Sequence, residues 1–196
     1  KKYNLQKIIN DNKVLLLSQV NYINEVTNIE IFKFKNQNMN QFKIPFVYKN
    51  ITNENNNVIV MEDIKGYTIN DVKNMDIYDK DQFGDLLLKF GYISVLYNSC
   101  IHSDLHAGNI FFYLNNNILP KYQLGIIDYG ICCYPNKENQ NYFYKLLEII
   151  FINKEYNKLL NNLIYFIEPS QYWNNIYNNP EIYKNFEDKV INIFHK

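Results

Sequence analysis

The chain has 196 residues, 47% hydrophobic and 16% aromatic, which suits one globular domain with a sizeable core. Its 20 basic residues, all lysine, balance 20 acidic ones, so no global field favours an anionic partner, and no basic stripe interleaved with aromatics supports nucleic-acid binding. No apolar run reaches the ~18 residues of a transmembrane helix, and three cysteines with two adjacent make no disulfide framework.

In chain order, spacings of three and four among Leu15, Leu16, Val20, Ile23, Thr27 and Phe34 predict a helix over 6–34. The polar patch 36–41 ends it, and Pro45 forbids its continuation. Phe46-Val47-Tyr48 and Val58-Ile59-Val60-Met61 predict two strands of an antiparallel hairpin. Residues 62–66 form a short polar bridge, and Thr68 caps a brief helix through Val72. A longer helix is expected over 80–99, with Phe83, Leu86, Leu87, Phe90, Ile93 and Leu96 in its apolar stripe. Two strands follow, 110–114 and 122–127, joined through Asn115-Asn116-Asn117. Asn136 caps a helix to 153, a second covers 156–167 before Pro169, and a last helical pattern runs from 180 to 194. The order predicts an α+β, two-lobed fold. A partial N-lobe (1–61), a hinge (62–66) and a mostly helical C-lobe (67–196) make it up. The chain starts at Lys1 instead of Met and reads as part of a longer protein.

The most informative stretch is His102-Ser103-Asp104-Leu105-His106-Ala107-Gly108-Asn109, followed by an apolar strand. Farther on, Leu124-Gly125-Ile126-Ile127-Asp128-Tyr129-Gly130 is a strand ending in an acidic turn. An Asp with an Asn five places later, then a hairpin and Asp-aromatic-Gly, is a phosphoryl-transfer arrangement. Such chemistry needs one carboxylate to align the attacking oxygen, here Asp104. It also needs hard oxygen ligands for Mg²⁺, here Asn109 and Asp128. His102 and His106 read as structural turn residues, since a zinc site with Cys132 or Cys133 lacks further ligands. Cys132 and Cys133 read as core packing, Trp173 as filler, Gly108 as a turn residue and Gly130 as a site of positive φ.

Further motifs carry a family resemblance. Gln19-Val20-Asn21-Tyr22-Ile23-Asn24-Glu25-Val26-Thr27-Asn28 resembles the Q-L-D-x-x-x-E-A-x-N helix of the UbiB/ABC1 atypical kinases. Pro45-Phe46-Val47-Tyr48 is similar to that family's P-x-V-Y, Val60 to Gly66 to V-M-E-x-I-x-G, the 102–109 loop to H-A-D-x-H-P-G-N, and Ile127 to Gly130 to I-D-F-G. The resemblance implies a protein-kinase-like fold that binds ATP with Mg²⁺. It makes Asp104 the catalytic carboxylate and puts Asn109 and Asp128 on the metal. Met61, Glu62 and Asp63 would meet the adenine edge through their backbone, and Glu25 would pair with a nucleotide-binding lysine. Asn21 departs from Asp, Ala107 from Pro and Tyr129 from Phe, and the family's K-x-G-Q segment, Ala-rich loop and strand lysine have no counterpart in residues 1–20. The family's activity implies ATP hydrolysis or phosphoryl transfer linked to ubiquinone and lipid metabolism at a mitochondrial or other membrane, with an unnamed acceptor. A scaffold or pseudokinase, and a small-molecule kinase of the aminoglycoside or choline type, stand as alternatives.

Overall fold

The computed structural model describes residues 9–10, 13, 17, 21–52, 58–117, 119–159 and 178–194. Two compact units are found, Lys1–Pro135 and Asn136–Lys196.

In the first unit, helix α1 (Tyr22–Lys35) begins where Asn21, in extended conformation, accepts the Ile23 N–H at 3.1 Å. The expected helix over 6–34 is therefore interrupted at Asn21, because a short amide competes for backbone donors and favours a cap over a helix interior. Ile9, Asn10, Lys13 and Leu17 are helical, and the rest of 1–20 lies outside the described residues. Glu25 in the first turn and Lys33 and Lys35 in the last complement the helix dipole. Strand β1 (Phe42–Lys43) follows. It lies parallel to β4 (Tyr122–Ile126), which pairs antiparallel with β3 (Ile110–Leu114), giving the order β1-β4-β3. The sequence reading missed β1: two residues carry no period, and the partner is remote. The expected hairpin of 46–48 with 58–61 is reduced to one bridge. Tyr48 N–H donates to Val60 at 2.8 Å and Glu62 N–H to Phe46 at 2.7 Å, on either side of Val47 opposite Met61.

Beyond the bridge, Tyr67 exchanges two 2.8 Å hydrogen bonds with Phe112 and so extends the sheet past β3. A capping box of Thr68 and Asp71 starts α2 (Ile69–Val72). Asp76 caps α3 (Ile77–Tyr92), so this helix begins before the expected residue 80. It passes into a π-helical turn (Ile93–Asn98) that ends at left-handed Ser99. The core is aromatic: Phe32, Phe83, Phe90 and Tyr129 are buried to within 1%. Phe83 packs edge-on against Phe112 at 4.9 Å and Phe42 against Phe90 at 5.2 Å. Alternation puts Ile110 and Phe112 into this core, while Phe111 and Tyr113 point to the opposite face of the ribbon. The 64–66 backbone crosses that opposite face.

The second unit starts with α4 (Lys137–Leu147), capped by Asn136, which accepts the Asn139 N–H at 2.8 Å. A π-helical turn (Glu148–Asn153) and a 3-10 turn (Tyr156–Lys158) follow, then α5 (Pro180–Phe194). Leu146, Ile149 and Leu159 form its buried cluster, with Ile150 and Val190 against it. The expected helix over 156–167 is described only to residue 159, and Trp173 lies outside the described residues. Among the described residues no helix is long and apolar enough to cross a membrane.

Candidate active site

Strand β2 (Ile101–His102) pairs antiparallel with β5 (Cys132–Cys133), His102 opposite Cys132. The two motif loops are thereby tied at their bases, with Ser103 N–H donating to Ile131 at 3.0 Å. The adjacent cysteines are thus strand residues. Burial pushes the Cys132 thiol up to about 12 and the Cys100 thiol up to about 11, which leaves both unreactive at neutral pH.

His102 is buried between the loops. Its Nε2 lies 3.0 Å from the Ile127 carbonyl, and its Nδ1 lies 3.3 Å from the Asp104 backbone nitrogen. A carbonyl only accepts and an amide N–H only donates, so the ring is the neutral Nε2–H tautomer. His102 therefore links the start of one loop to the strand end before Asp128. Asn109, also buried, stitches the same seam. Its Nδ2 donates to the Asp104 carbonyl at 3.0 Å, and its own carbonyl accepts from Ile127 N–H at 3.0 Å. With its nitrogen used inward, the amide oxygen of Asn109 is the end left for a ligand.

Asp128 sits in the left-handed region at φ 62, which a short polar side chain tolerates best after glycine. The expectation of positive φ at Gly130 is corrected: no described glycine adopts it. Gly130 instead gives room to the Asp128 carboxylate, which receives its N–H at 3.4 Å and would stand 3.3 Å from a Cβ. Behind it, Tyr129 lies 4.9 Å from Phe32 and 5.1 Å from His102, ring to ring. Its buried hydroxyl finds no partner among the described residues.

Helix α1 reaches this turn through two residues three apart, hence on one face. Asn28 donates to the Tyr129 carbonyl at 2.7 Å and accepts from the Tyr134 hydroxyl. Glu25 is half-buried. Burial and the Asp128 charge push its pKa up, against the Tyr129 backbone amide, which pulls the other way. Among the described residues Glu25 has no ion pair, so the charge it feels most is that of Asp128. Asn28 stood inside the quoted helix motif without an assigned role, and Tyr134 carried no signal at all.

The 61–63 stretch is built differently. The Glu62 side chain turns back, with Oε1 3.3 Å from Lys43 Nζ and Oε2 accepting Phe46 N–H at 3.3 Å. Its own N–H is taken by Phe46. The carbonyl of Glu62 and the backbone groups of Met61 and Asp63 make no hydrogen bond among the described residues. Among the described residues the exposed Asp63 pairs only with Lys65, at 3.0 Å.

Asn109 and Asp128 offer hard oxygens, and Asp128 lies near a second carboxylate, Glu25, whose mutual repulsion with Asp128 a cation would relieve. Among the described residues no group of three or more His, Cys, Asp or Glu can enclose a metal.

Known proteins share this sequence pattern and fold. Residues 1–163 match the family model described as the ABC1 atypical kinase-like domain. Proteins named Probable protein kinase UbiB are similar: 27% identical over 158 residues in Photorhabdus laumondii and 30% over 158 residues in Erwinia tasmaniensis. Each alignment covers 79% of this chain but 28% of the relative, so the chain spans under a third of those proteins. The solved structure of Rv3197 with erythromycin, from Mycobacterium tuberculosis, superposes with a TM-score of 0.56 at 21% identity, over 82% of this chain and 38% of that one. It supports a kinase-like α+β fold.

Proposed function

The chain belongs to the ABC1 atypical kinase-like family, and we propose that it binds Mg·ATP and supports ATP hydrolysis or phosphoryl transfer with Asp104 as the catalytic carboxylate. One observation carries this reading. The Asp104 backbone, the Asn109 amide and the Ile127 peptide before Asp128 are joined by hydrogen bonds of 3.0 Å, so three functional groups from two loops are held as one unit. Fixed placement is the main protein contribution to phosphoryl transfer.

Asp104, half-exposed, accepts a hydrogen bond from the attacking oxygen and holds it in line. Asn109 Oδ1 and the Asp128 carboxylate would hold the metal. Mg²⁺ there supplies neutralisation of phosphate charge. The free backbone groups of Met61 and Asp63 and the Glu62 carbonyl suit the edge of the adenine ring, and the Glu62 carboxylate, engaged by Lys43, does not. Glu25 beside Asp128 is the position from which a helix carboxylate would engage a cation on the nucleotide side. The similar proteins are named probable protein kinases, and the family resemblance of the motifs adds to this proposal a role in ubiquinone or lipid metabolism at a membrane, with the acceptor unnamed.

Phosphate release from Mg·ATP tests the catalytic part. Asp104→Asn should lower it by about 10²–10⁴-fold, the range for loss of one proton-accepting group. Asp128→Ala should abolish the Mg²⁺-dependent thermal shift by ATP. Turnover unchanged by Asp104→Asn would sink the reading.

A further inference from the structure

His106 entered the sequence reading as a turn residue, and its geometry says more. The ring is exposed, yet it is fixed. Its Nδ1 accepts the Gly108 N–H at 3.0 Å. A Cβ on Gly108 would stand 3.0 and 3.1 Å from ring atoms, so the imidazole lies directly over the glycine backbone. Because the Gly108 amide can only donate, Nδ1 is the acceptor, and the ring proton resides on Nε2. That Nε2 is 4.0 Å from Asp104 Oδ2, and both side chains stay accessible, at 59% and 43% exposure. At this distance the two groups do not bond each other directly. One oxygen placed about 2.8 Å from each spans the gap at roughly a right angle.

We propose that His106 and Asp104 form a two-point seat for the attacking oxygen, His106 donating from Nε2 to one lone pair while Asp104 accepts the O–H. This rests on the reading of Asp104 given above. The seat leaves the oxygen's second lone pair free to react, and His106 neither gains nor loses a proton. The seat also selects. A hydroxyl or water has a lone pair to spare for His106, whereas a neutral amine would surrender its only one. The acceptor class is therefore an alcohol or water, not an amine.

A turn residue alone would need only the Nδ1 acceptor, which aspartate, asparagine or serine supplies equally well. Asparagine mimics Nδ1 of histidine and glutamine mimics Nε2, so the two variants separate the roles. The probe is Mg·ADP with aluminium fluoride, which fills the transferring-phosphoryl position with an oxygen nucleophile opposite, compared with Mg·ADP alone by calorimetry. His106→Asn should keep the unfolding temperature but lose about 10-fold of the affinity for the fluoride complex, the worth of one hydrogen bond to a reacting group, with ADP affinity unchanged. His106→Gln should unfold at a lower temperature and recover affinity for the fluoride complex relative to His106→Asn. If the unsubstituted chain prefers the fluoride complex and His106→Asn keeps that preference, the seat is wrong and the Asp104 reading stands. If the unsubstituted chain shows no preference for the fluoride complex over ADP, the Asp104 reading and the seat fall together.

Discussion

The 102–109 loop and the 61–66 stretch are fixed by opposite means. The loop is held by side chains. His102, His106 and Asn109 each spend a polar atom on the backbone of the loop or of Ile127. The 61–66 stretch is held in large part by the absence of side chains: Gly66 and Gly125 let its backbone lie against the β3–β4 ribbon. A Cβ on Gly66 would stand 2.8 Å from the Phe112 carbonyl, and one on Gly125 would stand 2.6 Å from Ile64 Cγ2. A segment that presents side chains needs them oriented, while one that presents backbone needs the backbone brought close.

The contrast breaks first at His102. His102→Ala removes both hydrogen bonds of that ring, one of them across the seam to Ile127, and leaves a hole beside Phe32 and Tyr129, so it should cost about 3–5 kcal/mol in denaturant unfolding. Gly125→Ala tests the other mode. It should destabilise by about 1–3 kcal/mol through overpacking against Ile64 and Tyr113, where a glycine on an open helix surface, such as Gly84, would gain stability from the same change. Tyr129→Phe sharpens the picture from within the core. Deleting a buried hydroxyl with no partner among the described residues should raise stability, by about 1 kcal/mol.

The smallest effect expected is at Glu25. Its folded-state pKa is raised by burial and by Asp128, so the folded chain holds that proton more tightly than the unfolded one. Stability from this group is therefore greatest below the ordinary carboxylate range and falls as pH rises through the raised value. Without nucleotide, Glu25→Gln should raise the unfolding temperature slightly at neutral pH, and the gain should vanish in acid. A gain independent of pH would show that the charge is not its source.

The same contrast explains what the sequence revealed. Asp104, Asn109 and Asp128 were legible because their chemistry demands particular side chains at particular spacings. The cap at Asn21 and the positive φ of Asp128 were not, since each depends on local backbone geometry that helical periodicity and the glycine pattern misplace. Strand β1 and the pairing of Cys132 with His102 were hidden for a third reason. Two-residue strands have no measurable period, and their partners are chosen by tertiary packing. The side-chain network of Asn28 and Tyr134 needs residues distant in sequence, which a single chain read in order does not bring together.

Strand β1 has a consequence for the chain as it is made. Phe42 pairs with Leu124, so a strand near the start waits for a partner roughly 80 residues downstream. At a synthesis rate of about 5–20 residues per second, that wait lasts roughly 4–16 s. Until then Phe32 and Phe42 have neither Leu124 nor Tyr129 to bury against, and Phe90 joins them only from about midway. The local β3–β4 hairpin forms within microseconds of emerging, so the timing of the whole unit is set by the ribosome. Slowing translation between residues 43 and 122 would lengthen the exposure of those aromatics, while slowing it once residue 135 has left the ribosome would leave this first unit untouched.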